Sequence, residues 1–339
     1  MDETTQSLWV WQSTSGISLE CRVCPHACRL RPEQVGLCRV RWHDGKGIVP
    51  VPQQQLISAV PGLVERHNLY HFVPFQRTLL LGSVGCSASC SYCQNWEVAL
   101  APRHVTSWHA PQPTYQLQDV LDIAAQQKVQ TLVCSISEFS VWPEMLQALA
   151  EAAHARGLAV ALISNGYVTP EWLANMTHCI DAVKIDIKGF STTQLREVGL
   201  TWEPIVHTIH TLIANRVWLE CSLVVPANPA GNELVTAAGA FLVGAGLAHV
   251  PLHLQRMFPA YKQSKTVPTP IDELIAHRQL LQAMGMQYVY ISNVRGLTEN
   301  NTCCPQCGAV VVDRALSHHV TGSCPTCQYH LPGQWAFSK

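Results

Sequence analysis

The sequence predicts an α/β chain whose centre folds as a partial or full (β/α) barrel, with a cysteine-rich segment before it and a zinc-ribbon-like module after it. Three observations predict this. Apolar strand-like runs alternate with helical patterns from about residue 76 to 297. Cys21, Cys24, Cys28 and Cys38 crowd a first zone, 1–75, that has little periodicity. Two C-x2-C pairs, Cys304/Cys307 and Cys324/Cys327, mark a short last zone, 298–339.

The strand candidates of the central zone are Thr78–Val84, Thr131–Ser137, Leu158–Ser164, Ala182–Ile187, Val217–Val225, Pro251–Met257 and Gln287–Ser292. Between them lie helix candidates near Tyr115–Gln127, Pro143–Arg156, Pro170–Met176, Pro204–Asn215, Glu233–Val243 and Ile271–Ala283. Several of these begin at proline, whose fixed φ and missing N–H suit the first helical turn. Strands separated by helices of this length pair in parallel through right-handed crossovers. In a barrel built this way the chemistry sits at the C-terminal strand ends.

Composition excludes several classes. At 339 residues and 47% hydrophobic, the chain can bury a core of one or two domains. Charged residues make up only 13% and the net charge is −1, so neither a nucleic-acid partner nor a membrane surface is expected. No apolar run approaches the roughly 20 residues of a membrane span, and Met1–Gly16 lacks the pattern of a secretory signal. Fifteen cysteines without a signal point to metal sites in a reducing cytoplasm. Eleven fall into three clusters; Cys134, Cys179, Cys221 and Cys303 read as core thiols.

The middle cluster is the most informative. Cys86, Cys90 and Cys93 are spaced C-x3-C-x2-C directly after the first strand candidate. Three soft ligands on one loop can hold three corners of a 4Fe-4S cluster and leave the fourth iron open. The competing reading is a zinc knuckle with a distant ligand. Polar residues punctuate the other strand ends: Glu138, Asn165 in Ser164-Asn-Gly-Tyr167, Asp186 and Lys188, then His253 and Arg256. Residues so placed ring one barrel mouth, where a ligand with ammonium, carboxylate and ribose groups could be held.

These motifs carry a resemblance. The loop Cys86–Trp96, with an aromatic directly before its third cysteine, is similar to that of radical S-adenosylmethionine (SAM) enzymes related to pyruvate formate-lyase activating enzyme. From about 20 to 335 the chain resembles the radical enzyme of the AmmeMemoRadiSam system. The carriers include Cys21-Arg-Val-Cys24-Pro-His-Ala-Cys28, Leu69-Tyr-His-Phe-Val-Pro74, Asp186-Ile-Lys-Gly-Phe190 and Phe258-Pro-Ala-Tyr-Lys262. The resemblance implies a barrel of the radical SAM type and SAM chelated at the open iron. It implies reductive cleavage to a 5′-deoxyadenosyl radical, with hydrogen abstracted from a protein or small-molecule substrate. Glu138, Asn165, Asp186 and Lys188, with His253 and Arg256 weaker, would contact SAM. A flavodoxin or ferredoxin would supply the electron, and AmmeMemoRadiSam partner proteins would accompany the enzyme. Two departures stand out. Ser135-Ile-Ser-Glu138-Phe139 replaces Thr-Tyr-Asn-Glu-Pro, and Arg256-Met-Phe-Pro259 replaces Arg-Phe-His-Pro.

The outer clusters are read from spacing. Cys304, Cys307, Cys324 and Cys327 suit one tetrahedral structural zinc, with an auxiliary iron–sulfur cluster as the alternative. Cys21, Cys24, Cys28 and Cys38 fit no standard spacing; a metal centre is expected there, zinc slightly ahead of iron–sulfur, with unligated thiols as the third choice. Two functions compete with the main reading: a glycyl-radical-enzyme activating enzyme, and a non-catalytic zinc-binding interaction module.

Overall fold

The structure is a computed structural model that describes residues 10–12, 18–51, 56–100, 113–294, 296–316 and 320–336. Its centre is one eight-stranded sheet in spatial order β13-β12-β11-β10-β9-β8-β7-β6. Seven strands run parallel: β7 (Arg77–Gly82), β8 (Thr131–Ser135), β9 (Ala159–Ser164), β10 (Ala182–Ile187), β11 (Trp218–Val225), β12 (Leu252–Arg256) and β13 (Val289–Ser292). They coincide with the seven strand candidates. Their mostly apolar residues are largely buried on both faces, as in the strands of a parallel sheet. The sheet curves as a partial barrel, with β13 and β6 as its two edges.

β6 (Ser58–Leu63) pairs antiparallel with β7 and lies upstream of the boundary expected near residue 76. Its run Ser-Ala-Val-Pro-Gly-Leu has a proline and a glycine that hid it. Proline is tolerated there because β6 is an edge strand.

Helices fill the crossovers: α2 (Leu117–Gln126), α3 (Pro143–His154), α4 (Pro170–Met176), α5 (Thr192–Glu197), α6 (Trp202–Ala214), α7 (Ala230–Gly244) and α8 (Ile271–Ala283). A one-turn α1 (Trp96–Ala99) follows the cysteine loop. α4 begins as its sequence predicts: Thr169 Oγ1 accepts the Trp172 N–H at 3.1 Å, and Pro170 follows. Among the described residues no helix is long and apolar enough to cross a membrane.

The N-terminal zone forms two small sheets, β1 (Val10–Gln12), β2 (Leu19–Cys21) and β3 (Arg29–Leu30), then β4 (Arg41–His43) with β5 (Ile48–Pro50). The C-terminal zone adds a two-stranded ribbon, β14 (Thr302–Cys303) with β15 (Val310–Val312).

The barrel floor is closed by residues 64–75 and the C-terminal zone. Buried Glu220 on β11 accepts the N–H groups of Tyr70 (3.0 Å) and His71 (2.7 Å) and pairs with His253 at 2.7 Å. His71 in turn meets the Pro332 carbonyl at 2.7 Å and the Tyr290 hydroxyl at 2.6 Å. Arg314 stacks over Tyr70, 3.8 Å from the ring centroid. A buried carboxylate is stable here because its oxygens are matched by donors.

Candidate active site

A cavity of about 800 Å³ opens at the C-terminal strand ends. Cys86, Cys90 and Cys93 line it, together with Glu138, Asn165, Asp186, Lys188 and Arg256. Of the residues expected to contact SAM, only His253 lies elsewhere. It is fully buried against Glu220 and stacks edge-on against Tyr70 at 4.7 Å. Its expected role is corrected accordingly. His253 shares an inward face with Gln255, but it sits one layer deeper and serves the floor.

The cysteine loop is held by backbone bonds on several sides. Gly85 donates to the Val98 carbonyl at 2.9 Å and accepts from the Glu138 N–H at 3.1 Å. Its φ of +82° and the closeness of the N-terminal zone both require glycine, since a Cβ would lie 2.4 Å from the Cys38 carbonyl oxygen. Ser89 N–H reaches the Val198 carbonyl at 2.9 Å, and Lys262 N–H reaches the Ser91 carbonyl at 3.0 Å. Trp96 stacks on Tyr261 at 5.2 Å, and the Gln94 side chain donates to the Phe258 carbonyl at 3.0 Å. The run Phe258–Lys262 therefore braces the loop.

Glu138 is buried, and its oxygens accept the Asn165 N–H at 2.7 Å and the Ser140 N–H at 3.4 Å. Asn165 passes the support on: its Nδ2 donates to Ser87 Oγ at 3.0 Å and approaches Cys86 Sγ at 3.9 Å. Glu138 and Asn165 thus tie the ends of β8 and β9 to the cysteine loop. Just before Glu138, Ile136 and Ser137 take φ of +40° and +75°. Each such residue costs about 1–3 kcal/mol, a strain characteristic of functional sites. This strained pair lies within the segment that departs from the family pattern.

Asp186 gathers the charge. It pairs with Lys184 at 2.9 Å and Lys188 at 3.6 Å, and accepts from the Ser222 hydroxyl and from Gln255 Nε2 at 3.4 Å. Burial alone would raise its pKa, but Lys184 and Lys188 overcome that and hold the carboxyl well below the usual carboxylate range. Burial would likewise lower the Lys188 pKa, but Asp186, with Cys90, Tyr92 and Cys86, drives it upward. The Lys188 cation therefore faces the cysteine loop. Ser222 and Gln255 were absent from the expected set. Both are polar residues in apolar strand runs, which is the signal that could have found them. Arg256 donates its Nε to the Thr269 carbonyl at 2.8 Å and lies 5.1 Å from the Phe258 ring centroid.

The donor set fits an iron–sulfur cluster. Burial raises the pKa of Cys86, Cys90 and Cys93, so ligation would displace their protons. Their sulfurs are also too spread for a single ion. Among the described residues, the one group of three or more ligand atoms all within 4.8 Å of one another is Cys304, Cys307, Cys324 and Cys327. A tetrahedral zinc–thiolate site needs sulfurs about 3.8 Å apart, given zinc–sulfur bonds near 2.3 Å.

The C-terminal four meet that need. Cys304 Sγ lies 3.5 Å from Cys327 Sγ, and Cys307 Sγ lies 3.5 Å from Cys324 Sγ. The two knuckles repeat one backbone pattern: Gly308 N–H to the Cys304 carbonyl at 2.9 Å, and Gln328 N–H to the Cys324 carbonyl at 3.0 Å. Four thiolates leave no open position, so a zinc here would be structural. The N-terminal four do not meet the need. No three of the sulfurs of Cys21, Cys24, Cys28 and Cys38 lie within 4.8 Å of one another.

Residues 80–226 match the family model of the Radical SAM superfamily. An uncharacterized protein of Methanocaldococcus jannaschii is 28% identical over 299 residues, covering 88% of this chain and 88% of that one. Among solved structures, SuiB of Streptococcus suis bound to S-adenosylmethionine is similar with a TM-score of 0.51 at 10% identity, over 68% of this chain and 53% of that one. A domain of pyruvate-formate lyase-activating enzyme from Bacteroides vulgatus has a TM-score of 0.37 at 14% identity, over 45% of this chain and 92% of that one.

Proposed function

We propose, from the match of residues 80–226 to the Radical SAM superfamily model, an enzyme that binds SAM and a 4Fe-4S cluster in the cavity and abstracts hydrogen from a substrate held beside them. The observation that carries this reading is convergence: Cys86, Cys90 and Cys93 open on the same cavity as Asp186, Lys188, Asn165 and Arg256. Cys86, Cys90 and Cys93 would hold the cluster, which would supply the one-electron reduction needed to cleave the SAM sulfonium to methionine and a 5′-deoxyadenosyl radical.

The chain's own residues bind, orient and shield. The Lys188 cation balances the thiolates of the loop. Asp186 stays ionised and presents an acceptor for an ammonium or ribose hydroxyl. Glu138 and Asn165 act as positioning residues for the loop. The cavity volume lies in the upper part of the roughly 300–1,000 Å³ range of ligand sites, which leaves room beside SAM for a small substrate or a protruding peptide. The reading includes a flavodoxin or ferredoxin as electron donor. Its narrower form places the chain in an AmmeMemoRadiSam system with protein partners, supported by the motifs quoted above.

The test is anaerobic reconstitution with iron and sulfide, chemical reduction and an assay for 5′-deoxyadenosine. The Cys86→Ala, Cys90→Ala, Cys93→Ala triple variant should abolish product. Deoxyadenosine formed by the triple variant would overturn the reading. Absence of product from the reconstituted wild type would favour the zinc-binding interaction module instead.

A further inference from the structure

The N-terminal zone brings its four thiols around one cavity. Cys21 ends β2, Cys24 and Cys28 flank the following turn, and Cys38 precedes β4. All four line one small cavity with His26 and Arg41. The placement is fixed by local hydrogen bonds: Cys21 N–H to the Cys28 carbonyl at 3.0 Å, Ala27 N–H to the Cys24 carbonyl at 3.1 Å and Gly36 N–H to the Arg41 carbonyl at 2.7 Å.

Two features bear on the occupant. The first is spacing. The four thiols share one cavity, yet no three sulfurs come within 4.8 Å of one another. Cys86, Cys90 and Cys93 share that spread, whereas the C-terminal four are drawn tight. Thiolates on separate corners of an iron–sulfur cube stand farther apart than thiolates on a single zinc.

The second is charge. Arg41 is 1% exposed, and its Nε is buried without a hydrogen-bond partner. Glu144 takes the outer end of the guanidinium at 2.7 Å. A buried cation lining a cavity of four thiols suits an anionic cluster.

We propose that Cys21, Cys24, Cys28 and Cys38 hold a second 4Fe-4S cluster, seated against the loop of Cys86, Cys90 and Cys93. His26 is not a ligand in this arrangement, because its Nε2 lies 2.8 Å from the Ser87 carbonyl oxygen and ties the zone to the loop. The Cys38 carbonyl packs on Gly85 directly beside Cys86. On the far side Thr169 Oγ1 donates to the Arg22 carbonyl at 2.6 Å. With four cysteine ligands this cluster has no open iron and binds no SAM.

The experiment uses the full chain, reconstituted anaerobically with ferrous iron, sulfide and a thiol reductant. The Cys86→Ala, Cys90→Ala, Cys93→Ala variant should retain about half of the wild-type iron and sulfide. A Cys24→Ala, Cys38→Ala variant should likewise lose half, while zinc stays at the single equivalent of the C-terminal four. Because that pair is buried and its loss could unfold the zone, the wild type is also measured. Its reduced spectrum by electron paramagnetic resonance should contain two signals, of which SAM perturbs one. Iron absent from the triple loop variant, a second zinc equivalent in the wild type, or a single signal that responds entirely to SAM would each overturn the proposal. The last of these would leave the radical reading intact.

Discussion

Asp186 is the side chain on which the charge of the cavity turns. Two lysines, a serine hydroxyl and a glutamine amide converge on it. Asp186→Asn keeps the shape and removes the charge. Charged hydrogen bonds are worth roughly 1.5–3 kcal/mol, so SAM affinity should fall about ten- to a hundredfold while the loop cluster still assembles. Equilibrium titration with SAM checks this, and unchanged affinity would confine Asp186 to pairing the lysines. Glu138 should behave differently. Both of its oxygens serve backbone N–H groups, so Glu138→Ala orphans buried donors and should cost roughly 2–4 kcal/mol of stability. Denaturant unfolding distinguishes this from a purely local loss of binding. At this scale the sequence was legible where a polar residue ended an apolar run, as at Asn165, Asp186 and Lys188. It misled at His253, because strand position was visible but barrel depth was not. Depth depends on the register that sets Ser222 beside His253, and on the floor segment that brings Tyr70 and His71 down onto Glu220.

The elements themselves were written plainly. Parallel strands buried on both faces are largely apolar, and proline or threonine marked where α3 and α4 begin. β6 was missed for the converse reason: an edge strand tolerates Pro61 and Gly62 and shows no such run. The join between the N-terminal zone and the cysteine loop is tight at Gly85. Gly85→Ala puts a Cβ 2.4 Å from the Cys38 carbonyl oxygen and 2.6 Å from Val40 Cγ1, at a φ of +82°. Backbone strain of this kind costs about 1–3 kcal/mol before the clash is counted. The variant should therefore pull the N-terminal zone away from the cysteine loop. Its thermal midpoint should fall by several degrees, and protease should cut near residues 24–38 faster than in the wild type. An unchanged midpoint and cleavage rate would mean that the two segments are independent.

At the scale of the whole molecule, the floor couples the C-terminal zone to the barrel and makes stability depend on pH. Burial pushes the pKa of both His67 and His71 down to about 4, against about 6.5 in an unfolded chain. Between those values the unfolded state binds more protons, so stability falls as pH drops from 6.5 toward 4, by up to about 3 kcal/mol per histidine. His67→Gln should make that decline shallower, and unfolding midpoints measured at pH 7, 5.5 and 4.5 would reveal it. Asp186 adds nothing to this window, since its depressed carboxyl loses its charge only below the usual carboxylate range.

The C-terminal zone was legible as a zinc ribbon but not as a floor plate, because its partners lie more than 200 residues away in sequence. Arg314 bonds the carbonyls of Asn300 (3.1 Å) and Tyr70 (3.1 Å), reaches Thr302 Oγ1 at 3.0 Å and approaches Glu65 at 3.5 Å, while stacking on Tyr70. Cutting the chain near residue 298 would remove Arg314 and the Pro332 carbonyl together, leaving Glu65 and His71 facing water across an opened floor. Such a chain should lose its zinc and also several kcal/mol of barrel stability. Arg314→Ala separates the two effects: zinc content should stay at one equivalent while stability falls by about 3 kcal/mol. If Arg314→Ala unfolds at the wild-type denaturant midpoint, the ribbon is an appendage and the floor holds without it.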